Sequence, residues 1–379
     1  MEILHFCPSR SFSGLEQYAL DVAVSQKKMG REVGFVVCPG TRLEKECRDR
    51  NLEVVEFDPY QILWPLHFWP KLFGILRNDR ALRVLHLHST QELIHLSLPF
   101  FTLRGSPLRP KVILQSHIWI NHRKKDLFHK WLYSLVDEFW CSSEAAKKSL
   151  QENLPIPENK FKIIPYGRDV EGLEREFLDR TEARKQLGLS QDAVTMGTVS
   201  RLEESKGILE FLEAARELLM AGPQLHLAVI GGPTQDDPKA VEYKQRLDKT
   251  LDDFETNSRS RVHFLGPLPQ SYKYLKAFDL YVLPSHQETF SLSLLDAQLA
   301  GLPVVGSESG GTPDVVKEGK TGWLFKPKDV SHLSQKLQEA LSNRSLWNEY
   351  GRHASETVRR DYNQKTVFKN ILSAYGSGL

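Results

Sequence analysis

Two acids eight positions apart, Glu288 and Asp296, stand in the stretch SHQETFSLSLLDAQLAG at residues 285–301. A carboxylate accepts hydrogen bonds and donates none, which suits it to sugar hydroxyls. Apolar residues fill the interval at helical spacing. If a helix starts near Glu288, Asp296 lies about two turns further on, at roughly 12 Å of axial rise. The first-turn amides of Thr289 to Leu292 then point outward, open to an anion. This spacing fits an extended ligand with hydroxyls at each end and phosphate between them. The plainer reading makes Glu288 a capping acid and Asp296 an exposed helix residue. The apolar neighbours Leu292, Leu295, Ala297, Leu299 and Ala300 weigh against that for Asp296, because a buried carboxylate needs partners.

Three other places put reactive side chains just after an apolar run. In SRLEESKG, Arg201 and Lys206 flank a short loop ahead of Gly207. Two cations beside a helix start suit a diphosphate, with arginine able to grip two oxygens at once. A solvated charge cluster remains open, since Glu203 and Glu204 intervene. In PSRSFSGLEQ, Ser13 and Gly14 immediately precede a helix, where free amides allow an anion to approach closely. An ordinary strand-to-helix turn uses the same residues. His117 ends VILQSH and is a candidate for a sugar hydroxyl contact, while His86 and His88 read as structural or at most cleft-lining.

These residues need elements to hold them. EILHFC, VGFVVC, RVLHLH (83–88), VILQSH (112–117), FWCS (139–142) and FKII (161–164) read as strands, with helices between. Residues 165–192 carry no strand pattern and many charges. The alternation then restarts with VTMGTV (194–199), LHLAVI (225–230), RVHFLG (261–266), LYVL (280–283) and PVVGS (303–307). Helices are expected from Gly207 to about Ala221 and through 238–255. The pattern predicts two doubly wound, Rossmann-like α/β domains joined by a linker at 165–192. Ligands of such folds bind at the carboxyl ends of strands, and two facing domains would make a central cleft.

Composition narrows the class. The chain has 379 residues, 40% hydrophobic and 26% charged, with a net charge of +2. Such a balance does not argue for nucleic acid. Cys7, Cys38, Cys47 and Cys141 fall in no disulfide or metal spacing and read as buried thiols of a cytoplasmic protein. The N-terminus lacks the pattern of a cleaved leader, and no window resembles a spanning helix of about 20 apolar residues. Residues 104–131 hold Arg104, Arg109, Lys111, Arg123, Lys124, Lys125 and Lys130 among Trp119, Phe128 and Trp131. That mixture suits an anionic membrane surface or a phosphorylated acceptor, and equally a solvated helix face.

Taken together, SGLEQYALDVAVSQKKMGREV, CSSEAAKKSL, IIPYGRD, SRLEESKG and the long segment from PSHQET to TGWLF resemble the family-4 (GT4) retaining glycosyltransferases of GT-B fold. The resemblance runs in order over nearly the whole chain. It implies an N-terminal acceptor-binding domain at 1–168 and a C-terminal nucleotide-sugar-binding domain at 190–355. A terminal segment, 356–379, would cross back onto the first domain. It also implies that Arg201 and Lys206 hold the donor diphosphate, Glu288 the donor sugar and Asp296 the ribose. Phe290, Ser291 and Leu292 would turn backbone amides to the donor. Gly14 would cover the phosphates, and His117 would lie near the sugar. Base recognition would fall near Gly266 to Leu268. Departures from the family pattern are Asp296 for glutamate, Thr289, Ser291, Ser13 and Ser200 where glycine is common, and Tyr166 for asparagine.

The implied activity is metal-independent, retaining transfer of a hexose from a nucleotide-diphosphate sugar to a glycan or lipid-linked acceptor. Bacterial surface polysaccharide or glycolipid assembly would be its setting, at the inner face of the plasma membrane. No cofactor beyond the sugar nucleotide is expected, and the sequence has no Asp-x-Asp pair for a divalent ion. Domain closure about the linker would exclude water. A non-catalytic nucleotide-sugar binder is the alternative. A dinucleotide-dependent oxidoreductase is a third class, against which neither domain opens with G-x-G-x-x-G.

Overall fold

Short apolar runs buried on both faces form the centre of each sheet, as parallel strands covered by helices require. The computed structural model describes residues 1–12, 14–61, 64–78, 82–106, 109–117, 119–120, 122–234 and 237–376, with backbone alone at 64–67 and 77–78. The chain divides into two units, Met1–Pro165 with Val367–Leu379, and Tyr166–Thr366.

Among the described residues, the first unit holds seven strands: β1 Ile3–Phe6, β2 Val33–Val37, β3 Glu53–Glu56, β4 Val84–Leu87, β5 Lys111–Ser116, β6 Glu138–Cys141 and β7 Phe161–Ile163. All neighbours pair in parallel, in the order β3-β2-β1-β4-β5-β6-β7. The second unit holds β8 Val194–Val199, β9 Leu225–Ile230, β10 Val262–Phe264, β11 Leu280–Leu283, β12 Val304–Ser307 and β13 Gly322–Phe325. These are also parallel, in the order β10-β9-β8-β11-β12-β13. Each sheet reverses its winding beside its first strand, which makes both units doubly wound. Period-two alternation serves both faces: Leu280 and Val282 enter one core cluster of the second unit, Tyr281 and Leu283 the other.

Strands β3 and β13 were not expected. Each is four residues long, and β3 is an edge strand whose two glutamates are exposed. So short a run carries too little periodicity to stand out.

The domain boundaries also shift. The first unit ends at 165 and its returning segment begins at Val367, against expected limits of 168 and 356. The charged stretch after 165 is more than a linker: helices Val170–Glu176 and Arg180–Leu187 belong to the second unit. Arg184 explains this. Its side chain is fully buried and donates to the carbonyls of Ala277 and Ala193 at 2.8 and 2.7 Å and to Asp279 Oδ2 at 2.7 Å. A charged residue therefore anchors a helix that composition alone marks as solvated.

Cys7, Cys38, Cys47 and Cys141 are all buried thiols. Among the described residues, no helix is long and apolar enough to cross a membrane.

Candidate functional site

The carboxyl edge of the second sheet brings together two loops that lie about 80 positions apart in sequence. After β8, a short turn at Glu204–Lys206 leads into the helix Ile208–Ala221. After β11, residues 284–291 lead into the helix Leu292–Leu299. Lys206 Nζ meets Glu288 Oε2 at 2.8 Å, and both side chains are mostly buried. Two glycines allow this approach. Gly207, at φ +65°, would set a Cβ 2.0 Å from the Pro284 carbonyl. Gly310, at φ +54°, would set one 1.5 Å from the Glu288 carbonyl. Side chains fit neither the space nor the left-handed backbone. Backbone bonds from His286 to Ser205 and from Gly311 to Glu288, at 2.8 and 3.0 Å, clamp the loops further.

The helix after Glu288 starts at Leu292, two residues later than FSLSLLDAQLA suggests. Ser291 is its N-cap, with Oγ accepting from the Leu294 amide at 3.2 Å. A serine where the family pattern has glycine thus caps the helix. Among the described residues, the amides of Leu292 and Ser293 have no hydrogen-bond partner, so two donors face outward beside Lys206 and Glu288. Burial pushes the Tyr281 phenol up to about 12, and it donates to Ser293 Oγ at 2.9 Å beneath this helix mouth. Phe290 is buried and meets Tyr166 edge-on, with ring centroids 5.3 Å apart. Tyr166 therefore fills by packing a position where the pattern has an asparagine. Leu268, after β10, is half-buried against the same core.

Two expected contacts come out differently. Arg201 does not converge on Lys206 and Glu288 here. Its side chain is 63% exposed and pairs with Glu203 at 2.7 Å. The intervening acid that left the charge-cluster reading open has claimed it. Asp296 is buried, as its neighbours require, but a protein cation already fills its oxygens. Arg168 Nε reaches Oδ1 at 2.6 Å and Nη2 reaches Oδ2 at 2.8 Å. Burial pushes the Asp296 carboxyl above its ordinary range, and the Arg168 guanidinium offsets only part of that. The geometry is the paired fork of an ionised carboxylate. A ribose grip by Asp296 would have to displace that fork.

In the first unit, Gly14 opens the helix Gly14–Lys28 and is exposed, and an added Cβ there would meet nothing within 4 Å. Ser13 lies outside the described residues. His117 follows β5, half-buried, with Nε2 3.4 Å from His88 Nδ1. Burial pushes its pKa down to about 4, against an upward pull from Glu16, so it is neutral near pH 7. His5, His86 and His88 are fully buried and bring one ring nitrogen each within 4.8 Å of the others. Among the described residues this is the group with metal-ligand chemistry. A cavity of about 260 Å³ opens at the carboxyl ends of β1 and β4, lined by Ser9, Glu16, Tyr60, Ser89, Gln91 and Glu92 among others.

The basic stretch 104–131 is smaller than its composition suggests. Arg109 pairs with Asp137 at 2.8 Å, and Lys111 pairs with Glu138 at 2.8 Å. Lys125 Nζ donates to the Gln151 carbonyl at 3.0 Å, and Lys124 is half-buried. Arg104, Arg123 and Lys130 are exposed. Exposed apolar side chains accompany them: Ile94, Leu98 and Phe101 on the helix Leu93–Thr102, and Leu127 and Phe128 at the start of Leu127–Ser134.

Two family models match this chain, Glycosyltransferase Family 4 over residues 12–171 and Glycosyl transferases group 1 over 179–357. The chain belongs to glycosyltransferase family 4. Its relatives include the D-inositol 3-phosphate glycosyltransferase of Geodermatophilus obscurus, 30% identical over 56% of this chain and 47% of that protein. The capsular polysaccharide biosynthesis glycosyltransferase CapM of Staphylococcus aureus is 23% identical over 65% of this chain and 63% of its own length. The chain spans about half the length of the first of these relatives. In fold it is similar to Anabaena HepE in complex with UDP, at TM-score 0.80 and 18% identity over 99% of both chains. It is also similar to a glycosyltransferase from Rickettsia africae, at TM-score 0.81 and 17% identity over 99% of this chain and 97% of that one. The two units are the two halves of a GT-B fold.

For a family-4 chain, the residue that sequence reasoning missed is Arg168. It stands in IIPYGRD, quoted above for its resemblance. The available signal was an arginine two residues before the helix Val170–Glu176, in a chain with a buried acid still lacking a partner. No spacing rule links positions 168 and 296.

Proposed function

We propose that this family-4 chain is a retaining glycosyltransferase that moves a hexose from a nucleotide-diphosphate sugar to a hydroxyl of a glycan or lipid-linked acceptor. The observation that carries the reading is the Lys206–Glu288 pair, 2.8 Å apart beside the two unbonded amides of Leu292 and Ser293. An anion arriving there meets a cation and two donors, and the adjoining carboxylate accepts from sugar hydroxyls. As the bond from the anomeric carbon to the diphosphate breaks, negative charge grows on the leaving oxygens. Lys206 and the amides stabilise it electrostatically, with no metal requirement in the reading. The acceptor oxygen joins the anomeric carbon on the face the diphosphate leaves, and its proton passes to the leaving phosphate.

Donor binding is assigned to the second unit and acceptor binding to the first. In the first unit, the cavity bounded by Glu16 and Glu92 favours an acceptor that presents hydroxyls, because acidic side chains hydrogen-bond hydroxyls and offer phosphate no positive charge. The cations Arg104, Arg123 and Lys130, with Leu127, Phe128, Phe101, Leu98 and Ile94 among them, support contact with an anionic membrane surface. Such contact would place the enzyme at the cytoplasmic leaflet, in polysaccharide or glycolipid assembly.

The test is a panel of UDP-, GDP-, ADP- and CMP-sugars, read by thermal shift and by slow release of the nucleotide, a diphosphate from the first three and CMP from the last. One sugar nucleotide should raise the melting temperature by mass action and be hydrolysed slowly without acceptor. Stabilisation with no turnover, with acceptor glycans or without, selects the non-catalytic binder instead. No response to any member defeats both readings.

A further inference from the structure

Two histidines that the sequence reads as structural, His86 and His88, meet a third, His5, inside the first unit. Strand register brings them there. His5 on β1 pairs with His86 on β4, and His86 pairs with Ile113 on β5. Side chains alternate between faces, so His88 and Gln115 fall on that same face. The three rings are fully buried, and one nitrogen of each lies within 4.8 Å of the others. Zinc binds three histidine nitrogens in tetrahedral geometry, with a fourth ligand completing the set.

We propose that His5, His86 and His88 bind one zinc ion, which fastens the returning helix Gln364–Tyr375 to the first sheet. The first support is an unmet atom. His86 Nε2 is buried and makes no hydrogen bond. Gln115 lies against His86, and its two amide atoms are likewise buried and unbonded. Buried polar atoms in that state are rare, and each calls for a partner. Tyr375 holds His86 Nδ1, so Nε2 is the nitrogen that His86 offers the ion. The Gln115 carbonyl oxygen is the candidate fourth ligand.

The distances suit an ion. His5 Nδ1 and His88 Nε2 are 3.0 Å apart. Zn–N bonds of roughly 2.0–2.1 Å in tetrahedral geometry set two nitrogens about 3.3 Å apart. The His5–His88 pair therefore parts by roughly 0.3 Å, and the widest pair closes by about 1.5 Å at most. Turning an imidazole about its side-chain bonds covers that distance.

The surroundings also suit one. A metal-bound histidine usually gives its other ring nitrogen to a neighbour, which fixes the ring. Gln26 Oε1 lies 2.9 Å from His5 Nε2, Tyr375 Oη 2.8 Å from His86 Nδ1, and His117 Nε2 3.4 Å from His88 Nδ1. Gln26 Nε2 donates to Tyr375 Oη at 2.9 Å. Gln26 belongs to the helix Gly14–Lys28, and Tyr375 ends the helix Gln364–Tyr375. The ion thus ties two adjacent strands and, one contact further out, two helices. Imidazole ligands bring no negative charge. Glu16 is buried and close enough to His117 to act on it, so a carboxylate stands within reach of the ion's charge.

Elemental analysis of the untagged full-length chain, expressed with zinc in the medium, tests this without any turnover. One zinc per chain should survive gel filtration. X-ray absorption at the zinc edge should show imidazole nitrogens and no sulfur. The chain unfolded in chelator and refolded with cobalt should show the visible bands of a tetrahedral ion, and refolding without metal should lower the melting temperature. His86→Phe should fold and lose the zinc. If it does not fold, the absorption edge of the wild type carries the test. A zinc-free chain whose melting temperature ignores zinc and cobalt added during refolding, an edge with sulfur or with oxygen ligands alone, or stoichiometric zinc retained by His86→Phe would each overturn the proposal. These measurements involve neither donor nor acceptor, so they stand or fall separately from the transferase reading.

Discussion

Replacing Arg168 by methionine would leave the Asp296 carboxylate, 8% exposed, with neither of its two charge-assisted hydrogen bonds. Removing one partner of a buried ion pair costs about 3–5 kcal/mol. The Arg168 side chain is 23% exposed, so water recovers part of this, and roughly 2–3 kcal/mol is the expected loss. For a unit of this size, that corresponds to a melting drop of about 4–12 °C. The loss should depend on pH. Burial already holds the Asp296 carboxyl above its ordinary range against Arg168, and with Arg168 gone it lifts the folded pKa further above the unfolded value of about 3.9. A carboxyl raised in this way destabilises the fold most when ionised. The deficit relative to wild type should therefore be full above the variant's raised pKa, shrink as pH falls through it, and vanish below the smaller raised pKa of the wild-type carboxyl. Arg168→Met combined with Asp296→Leu should recover most of the stability, because an apolar pair can replace a buried ion pair at little cost. Thermal melts across pH, with hydrogen exchange of the helix Leu292–Leu299 as the local readout, measure all of this. A single variant as stable as wild type, or a deficit that ignores pH and persists in the double variant, refutes the structural role. So would Arg168→Met that binds nucleotide diphosphates more tightly at unchanged stability, since Asp296 would then be a ribose ligand held in reserve.

Lys206→Ala should lower kcat/KM for the donor by roughly 2–4 kcal/mol of transition-state stabilisation, on the order of a hundredfold or more. Single-turnover kinetics near wild-type rates would remove Lys206 from the leaving-group site. Arg201→Ala, starting from an exposed side chain paired with Glu203, should leave the melting temperature within about 1–2 °C, as surface changes do, so any kinetic loss reports donor contact. Leu127→Glu with Phe128→Glu should abolish flotation with phosphatidylglycerol-rich vesicles while phosphatidylcholine vesicles stay unbound throughout. Equal binding by the double variant defeats the membrane reading, and a concentration-dependent dimer lost in that variant assigns the apolar face to a second copy instead.

The sequence alone determined the alternation of strands and helices, and with it two doubly wound units. That signal is local, because hydrophobic periodicity reports which face of an element is buried. It also put Lys206, Glu288 and the helix mouth on carboxyl-end loops, after the strands at 194–199 and 280–283, since the loop after a strand is fixed once the strand is found. Tertiary structure decided which of these groups meet. The Lys206–Glu288 contact depends on Gly207 and Gly310, two residues with no side chain to argue from. The engagement of Asp296 depends on Arg168, 128 positions away. The contacts that link His5, His88 and His117 depend on rings from three strands' carboxyl sides and an amide from the first helix. A carboxylate, an imidazole and an amide are defined by their residue types, but whether each faces a ligand or another side chain is set by the neighbours that folding delivers. In a parallel sheet those neighbours come from strands far apart in the chain, where no periodicity reaches.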